Sequence, residues 1–331
     1  MTGEAGIGRS IVLGARRGLE ACASPGGTFA VLALDHRQNL RKELRPSDPD
    51  SVTYDEMVEF KRAVVRILAS DATGTLLDPE IGAAQCIADG SLPASAGLLV
   101  AIEATGYEGL PTARVSRVLD GWSVYKAKRM GASAAKLLVY YHPDAANAAD
   151  QERLVAAVTA DCGAADLALF VEPLSFSLIE GETLTGEARR RVVVETARRL
   201  TAIGGDVLKA EFPYDASVTD RDRWRDACEE LDGASSVPWV LLSGGVDEAT
   251  FEARVVTACE AGASGVLAGR SVWAEAATLV PGDRDAFLAT TGRERLRRLA
   301  DLVAAAGRPW FDRPNRLTTS PIPGDGWYRE Y

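Results

Sequence analysis

Short apolar runs alternate with longer amphipathic stretches along most of this chain. The runs are Phe29–Leu34, Thr73–Leu77, Leu98–Ile102, Ala135–Tyr140, Leu167–Val171, Asp206–Ala210, Trp239–Leu242 and Gly265–Ala268. Each of the eight is four to six residues long, the length of a parallel strand buried on both faces. The stretches between them read as helices. Met57, Phe60, Val64, Ile67 and Leu68 form an apolar stripe at helical spacing. Asp247 is placed to cap a helix whose inner face is Phe251, Val255, Ala258 and Cys259. Trp122–Met130, Ala148–Asp161, Gly186–Ile203 and Asp220–Leu231 are further helical stretches. The third connection is long, so Ala104–Asp120 is expected to be an active-site loop. Eight such units predict a single (β/α)8 TIM barrel in the α/β class. A doubly wound sheet would more often show five to seven strands and a Gly-rich first turn.

Residues 27–306 are assigned to the barrel, 1–26 to an N-terminal extension and 307–331 to a C-terminal tail. The tail carries Pro309, Pro314, Pro321 and Pro323 with Trp310, Phe311, Trp327, Tyr328 and Tyr331. Its prolines suit a disordered tail, whereas its aromatics favour docking on the barrel or a neighbouring subunit. A homo-oligomer is expected.

Composition narrows the class. The 331 residues are 47% hydrophobic and 25% charged, ordinary for a globular domain. The formal charge of -10 disfavours nucleic acid and anionic membrane as partners. Cys22, Cys86, Cys162, Cys228 and Cys259 are scattered and odd in number, which fits a reducing compartment. With only His36 and His142, a catalytic zinc site is not expected, nor any other metal or cofactor. Met1–Cys22 does not read as a signal peptide and no run spans a membrane, so a cytoplasmic location is expected. Neither GxGxxG nor GxxxxGK[ST] occurs.

In a barrel of this kind the chemistry sits at the C-terminal ends of the strands. The first run ends in Asp35, followed by His36 and Arg37; the second ends in Asp78 and the third in Glu103. The fourth contains Lys136, the fifth ends in Glu172, and the sixth carries Lys209 and leads into Glu211. Lys136 and Lys209 interrupt otherwise apolar strands. A Lys is almost never buried unpaired, so each needs a carboxylate partner or a task. A buried Lys beside another cation loses its proton more readily, and a neutral amine attacks a carbonyl to form a Schiff base. Asp35, Glu103, Glu172 and Glu211 are the acids available to move protons. This equips a class I aldolase, and the residues alone do not rank one lysine above the other. Ser243-Gly244-Gly245 and Gly269-Arg270 end the seventh and eighth runs, where such barrels bind phosphate. His142, Trp122 and Trp273 read as loop or packing residues, and Arg189–Arg191 and Arg295–Arg298 as solvated helix faces.

Several segments in order resemble the class I tagatose-1,6-bisphosphate aldolase family, which also contains sulfofructosephosphate aldolase. They are ALDHR at Ala33–Arg37, AAKLLVYY at Ala134–Tyr141, FVEP at Phe170–Pro173 and DVLKAEFP at Asp206–Pro213. LLSGGVDEATF at Leu241–Phe251 and AGASGVLAGRSVWAEA at Ala261–Ala276 continue the match. The resemblance implies Lys209 as the Schiff-base residue and Glu172 as its acid/base neighbour. It implies that Asp35 and Lys136 meet the sugar, and that Ser243, Gly244, Gly269 and Arg270 hold its phosphate. Glu103, Glu211, Arg37 and Gly245 complete the expected binding set, together with His36, which stands where the family commonly has Gln. The implied activity is retro-aldol cleavage of a ketose 1-phosphate or 1,6-bisphosphate, or a 6-sulfo analogue, to dihydroxyacetone phosphate and an aldehyde. A sugar-phosphate-sensing regulator on the same barrel, or another phosphate-binding barrel enzyme such as an isomerase, are the alternatives.

Overall fold

The computed structural model describes residues 9–313, 317–319 and 326–329. Eight parallel strands close into a barrel: β1 Phe29–Leu34, β2 Gly74–Leu77, β3 Gly97–Ala101, β4 Ala134–Tyr140, β5 Ala168–Leu174, β6 Val207–Ala210, β7 Trp239–Leu242 and β8 Gly265–Ala268. Each pairs with its sequence neighbours, and β8 returns to β1 with Gly265 opposite Phe29. All eight apolar runs became strands of one sheet.

Side chains alternate between the barrel interior and the helical shell, as pleating requires. Phe29 and Val31 of β1, Phe170 of β5, Val207 of β6 and Val240 of β7 fill the lower interior. The shell includes α1 Leu13–Cys22, α2 Tyr54–Leu68, α3 Ala148–Ala164, α4 Gly186–Ile203, α5 Arg221–Ala234, α6 Glu248–Glu260 and α7 Arg293–Ala306. Helix α2 starts in a capping box, in which Thr53 and Glu56 satisfy each other's backbone N–H. Asp247 caps α6 by accepting from the Thr250 N–H at 3.0 Å.

The segment set apart as an N-terminal extension contains α1, which the chain pattern did not reveal. Its Ala15, Leu19 and Cys22 pack with the lower interior residues and close that end of the barrel. Trp310 of the tail joins the same cluster, and its N–H donates to Gly27 O at 2.9 Å. Gly307–Arg313 therefore docks on the barrel, and Arg313 pairs with Asp232. Pro314, Pro321, Pro323 and Tyr331 lie outside the described residues. No helix among the described residues is long and apolar enough to cross a membrane.

Two expectations change. Ile67, placed on the buried stripe of α2, is only half-buried, and Lys61 takes a buried position instead. The arginine runs are not uniformly solvated. Arg297 and Arg298 are exposed, but Arg189 bonds Glu211 at 3.0 Å and Arg295 bridges Glu248 and Glu275.

Candidate active site

A cavity of about 490 Å³ opens at the C-terminal ends of the strands. Its floor is a chain of alternating charges. Lys136 and Lys209 each lie inside a strand, facing the barrel axis above the apolar layer. Phe170 pairs with Val207, so Glu172 and Lys209, each two residues further on, face the interior together. Lys209 Nζ lies 2.7 Å from Glu172 Oε1. The other oxygen, Glu172 Oε2, lies 2.8 Å from Lys136 Nζ. Lys136 also meets Asp35 Oδ2 at 2.7 Å and Glu103 Oε1 at 2.8 Å.

The two lysines thus differ in their surroundings, which sequence alone left equal. Lys136 has three carboxylates and Lys209 has one. Burial opposes charge on Lys136, but Asp35, Glu103 and Glu172 outweigh it and hold the ammonium well above its usual range. Burial likewise opposes charge on Asp35, and Lys136, then Lys209 and His36, outweigh it, keeping that carboxyl well below the usual range. Lys136 is therefore held in its charged form.

The remaining expected residues divide by position. Glu103, Arg37, His36 and Glu211 all line the cavity. Glu103 Oε2 accepts from the Leu138 N–H at 3.0 Å, which fixes its carboxylate over Lys136. Arg37 is tied by Nη1 to Glu80 at 2.6 Å and donates from Nη2 to Glu103 O at 3.0 Å. Glu211 is held from outside by Arg189 and accepts from the Ser175 N–H at 2.7 Å. Burial pushes the His36 imidazole down to about 4, with Asp35 opposing and Arg270, Lys209 and Lys61 reinforcing. Its ring packs edge-on against Trp273, 5.1 Å between centroids, and its buried Nδ1 has no hydrogen-bond partner among the described residues.

Ser243, Gly244, Gly269 and Arg270 come together at the ends of β7 and β8. Gly244 has φ +64°, a left-handed conformation that favours glycine and lets the backbone approach a ligand. A Cβ at Gly269 would press on Ala33 O at 3.0 Å and the His36 ring at 3.1 Å. Gly245 does not line the cavity; it flanks the far side of Arg270.

Three features were not anticipated. Tyr107 and Tyr140 form the wall opposite the glycines, their rings 5.1 Å apart. The long loop folds into a hairpin, Glu108–Leu110 against Ala113–Val115, which brings Arg114 over the Tyr107 ring at 4.6 Å. Asp78, at the end of β2, pairs with buried Lys61 and serves the helical shell rather than the cavity. His142 is a loop residue as expected, but it is buried against Phe176. Among the described residues, no group of three His, Cys, Asp or Glu is arranged to hold a metal ion.

Comparison with known proteins adds a family. The model described as DeoC/LacD family aldolase matches residues 29–275. The tagatose 1,6-diphosphate aldolase of Lactococcus lactis subsp. lactis is 30% identical over 321 residues, covering 90% of this chain and 98% of that protein. The tagatose 1,6-diphosphate aldolase of Streptococcus pneumoniae strain R6 is 30% identical over 318 residues, covering 89% and 97%. A solved Schiff base-forming fructose-1,6-bisphosphate aldolase superposes with TM-score 0.58 at 21% identity, covering 86% of this chain and 98% of that one. A fructose-bisphosphate aldolase from Plasmodium falciparum superposes at 0.67 with 12% identity, covering 91% and 98%. At those identities the two structures speak for the barrel alone.

Proposed function

Because this chain belongs to the DeoC/LacD aldolase family, we propose that it cleaves a phosphorylated ketose through a Schiff base on Lys209. The observation that carries the reading is the contact between Lys209 Nζ and Glu172 Oε1 at 2.7 Å, on the floor of the cavity. A nucleophile with a proton carrier in hydrogen-bond reach is the minimum such chemistry needs.

The uncharged Lys209 amine adds to the C2 carbonyl, and the new alkoxide takes a proton from solvent in the open cavity to become a carbinolamine. Glu172 takes the amine's proton and returns it to the departing hydroxyl, which leaves as water and gives an iminium. Glu172, ionised again once water has left, takes the C4 hydroxyl proton, and the C3–C4 bond breaks. The bonding pair moves into the iminium, forming an enamine, and an aldehyde departs. Asp35, held ionised by Lys136, faces the same cavity and is a second acceptor for that proton. Protonation of the enamine at C3 and addition of water release dihydroxyacetone phosphate and regenerate Lys209. Lys136 stays charged throughout and steadies oxygen atoms of the sugar. Gly244, Ser243, Gly269 and Arg270 receive the phosphate, with the Arg270 guanidinium forked onto its oxygens.

We place this reaction in the cytoplasm and expect the protein to assemble as a homo-oligomer. The direct assay is aldehyde release from ketose phosphates by the wild type and by Lys209→Met. Loss of at least about 10³-fold in kcat is expected on removing the nucleophile. A variant that kept most of its activity would overturn the assignment.

A further inference from the structure

Resting on that reading, we infer that the substrate bears a single phosphate, at C1, and that its far end is uncharged. The cavity's cations carry the point. Four line it: Arg37, Lys136, Lys209 and Arg270. Lys136 is enclosed by three carboxylates, and Lys209 is paired with Glu172 and taken by the chemistry. Arg37 is committed on both arms, to Glu80 at 2.6 Å and to the Glu103 carbonyl at 3.0 Å, with the Glu103 carboxylate 3.6 Å away. Arg270 alone is loosely held, 3.5 Å from Glu43 with over a third of its side chain exposed. It stands beside the glycines at the ends of β7 and β8, so it serves one anion at that end.

Among the described residues, the opposite wall offers no counterpart. Thr105, Gly106, Tyr107 and Tyr140 present hydroxyls, backbone and aromatic rings there. Arg114 lies close but does not line the cavity, because its guanidinium is spread over the rings of Tyr107, Tyr140 and Phe176 at 4.6, 5.4 and 5.1 Å. Four carboxylates, Asp35, Glu103, Glu172 and Glu211, also line the cavity. A second phosphate would meet those four carboxylates and, among the described residues, no unengaged cation lining the cavity, so like-charge repulsion disfavours it. A hydroxyl or methyl end instead suits tyrosine rings and neutral polar groups. The aldehyde product is then a neutral hydroxyaldehyde or deoxyaldehyde. This departs from the bisphosphates in the names of the bacterial relatives.

The test compares kcat/KM for 1-phosphates and 1,6-bisphosphates of fructose and tagatose under identical salt and pH. The monophosphate of the preferred epimer is expected to be the better substrate by about tenfold or more. Equal or higher kcat/KM for the bisphosphate would overturn the inference. Glu80→Gln releases one arm of Arg37, so it should narrow the preference by about threefold or more. An unchanged ratio would contradict the role given to the Arg37–Glu80 pair. Borohydride trapping with dihydroxyacetone phosphate separates the two levels. A protein that is trapped on Lys209 yet prefers bisphosphates sinks this inference alone, whereas one that is not trapped sinks the reading beneath it.

Discussion

Lys209 Nζ and Glu172 Oε1 meet at 2.7 Å across the seam between β6 and β5. The contact arises because two short strands pair in register and both residues point inward at the level where the apolar filling stops. Cleavage chemistry needs an amine and a proton carrier to share one solvent-poor spot, and neighbouring strands of a closed barrel supply it.

Glu172→Gln keeps the shape of the side chain and removes its ability to carry a proton. A kcat lower by about 10²- to 10⁴-fold is expected, with kcat/KM falling in parallel. Steady-state kinetics on the preferred ketose phosphate checks this. A rise in KM with kcat preserved would make Glu172 a binding group only.

The two lysines should separate in stability as well as in activity. Lys136→Met leaves Asp35 buried without its cation and Glu103 with only Arg37 at 3.6 Å, at a cost of about 3–5 kcal/mol. Lys209→Met leaves Glu172 still paired with Lys136, so its cost should be clearly smaller. Urea denaturation of both variants and the wild type measures the difference. Equal losses would mean that the three-carboxylate cage does not act as described.

His36 ties stability to pH. Its imidazole titrates near 4 in the folded protein against 6.5 for a free side chain, so it folds neutral. Below pH 6.5 the unfolded chain binds the proton and the folded one does not. Stability should therefore fall as pH drops from about 6.5 towards 4, by about 3 kcal/mol from this group, and be flat above. His142, also lowered by burial, adds the same sign in every variant that keeps it. Asp35 contributes a further loss once pH falls into the ordinary carboxylate range, where the unfolded carboxyl binds a proton and the folded one does not. His36→Gln should flatten the slope between pH 6.5 and 4. Parallel curves for variant and wild type would show that His36 is not buried neutral.

Lys61 and Asp78 form a second buried pair, outside the cavity, between α2 and the end of β2. Burial lowers the Lys61 ammonium, and Asp78 is anchored by the N–H groups of Glu80 and Ile81, each at 2.9 Å. Lys61→Met strands the carboxylate and should cost about 3–5 kcal/mol. Adding Asp78→Asn should recover part of that. No recovery in the double variant would indicate that lost packing, not stranded charge, explains the effect.

The barrel was legible because the strands are buried on both faces and read as short, largely apolar runs. The floor of the cavity was legible for the opposite reason, since Lys136 and Lys209 violate that rule. Ranking the two was beyond residue pattern, because it depends on how many carboxylates converge in space from β1, β3 and β5. Lys61 did leave a signal: it falls on the stripe Met57, Lys61, Val64, Leu68, where a charged residue stands among apolar ones. Helix α1 was passed over because its inner face, Ala15, Gly18, Leu19 and Cys22, is made mostly of small residues, although they recur at helical spacing opposite Arg16, Arg17 and Glu20. The tyrosine wall depends on how the long loop folds back as a hairpin, a tertiary event with no local periodicity.

The most direct measurement is to incubate the wild type with dihydroxyacetone phosphate, reduce with borohydride and map the modified peptide by mass spectrometry. One stable adduct is expected, on Lys209, and it should vanish in Lys209→Met. An adduct on Lys136, or none under conditions where the enzyme turns over, would contradict the account.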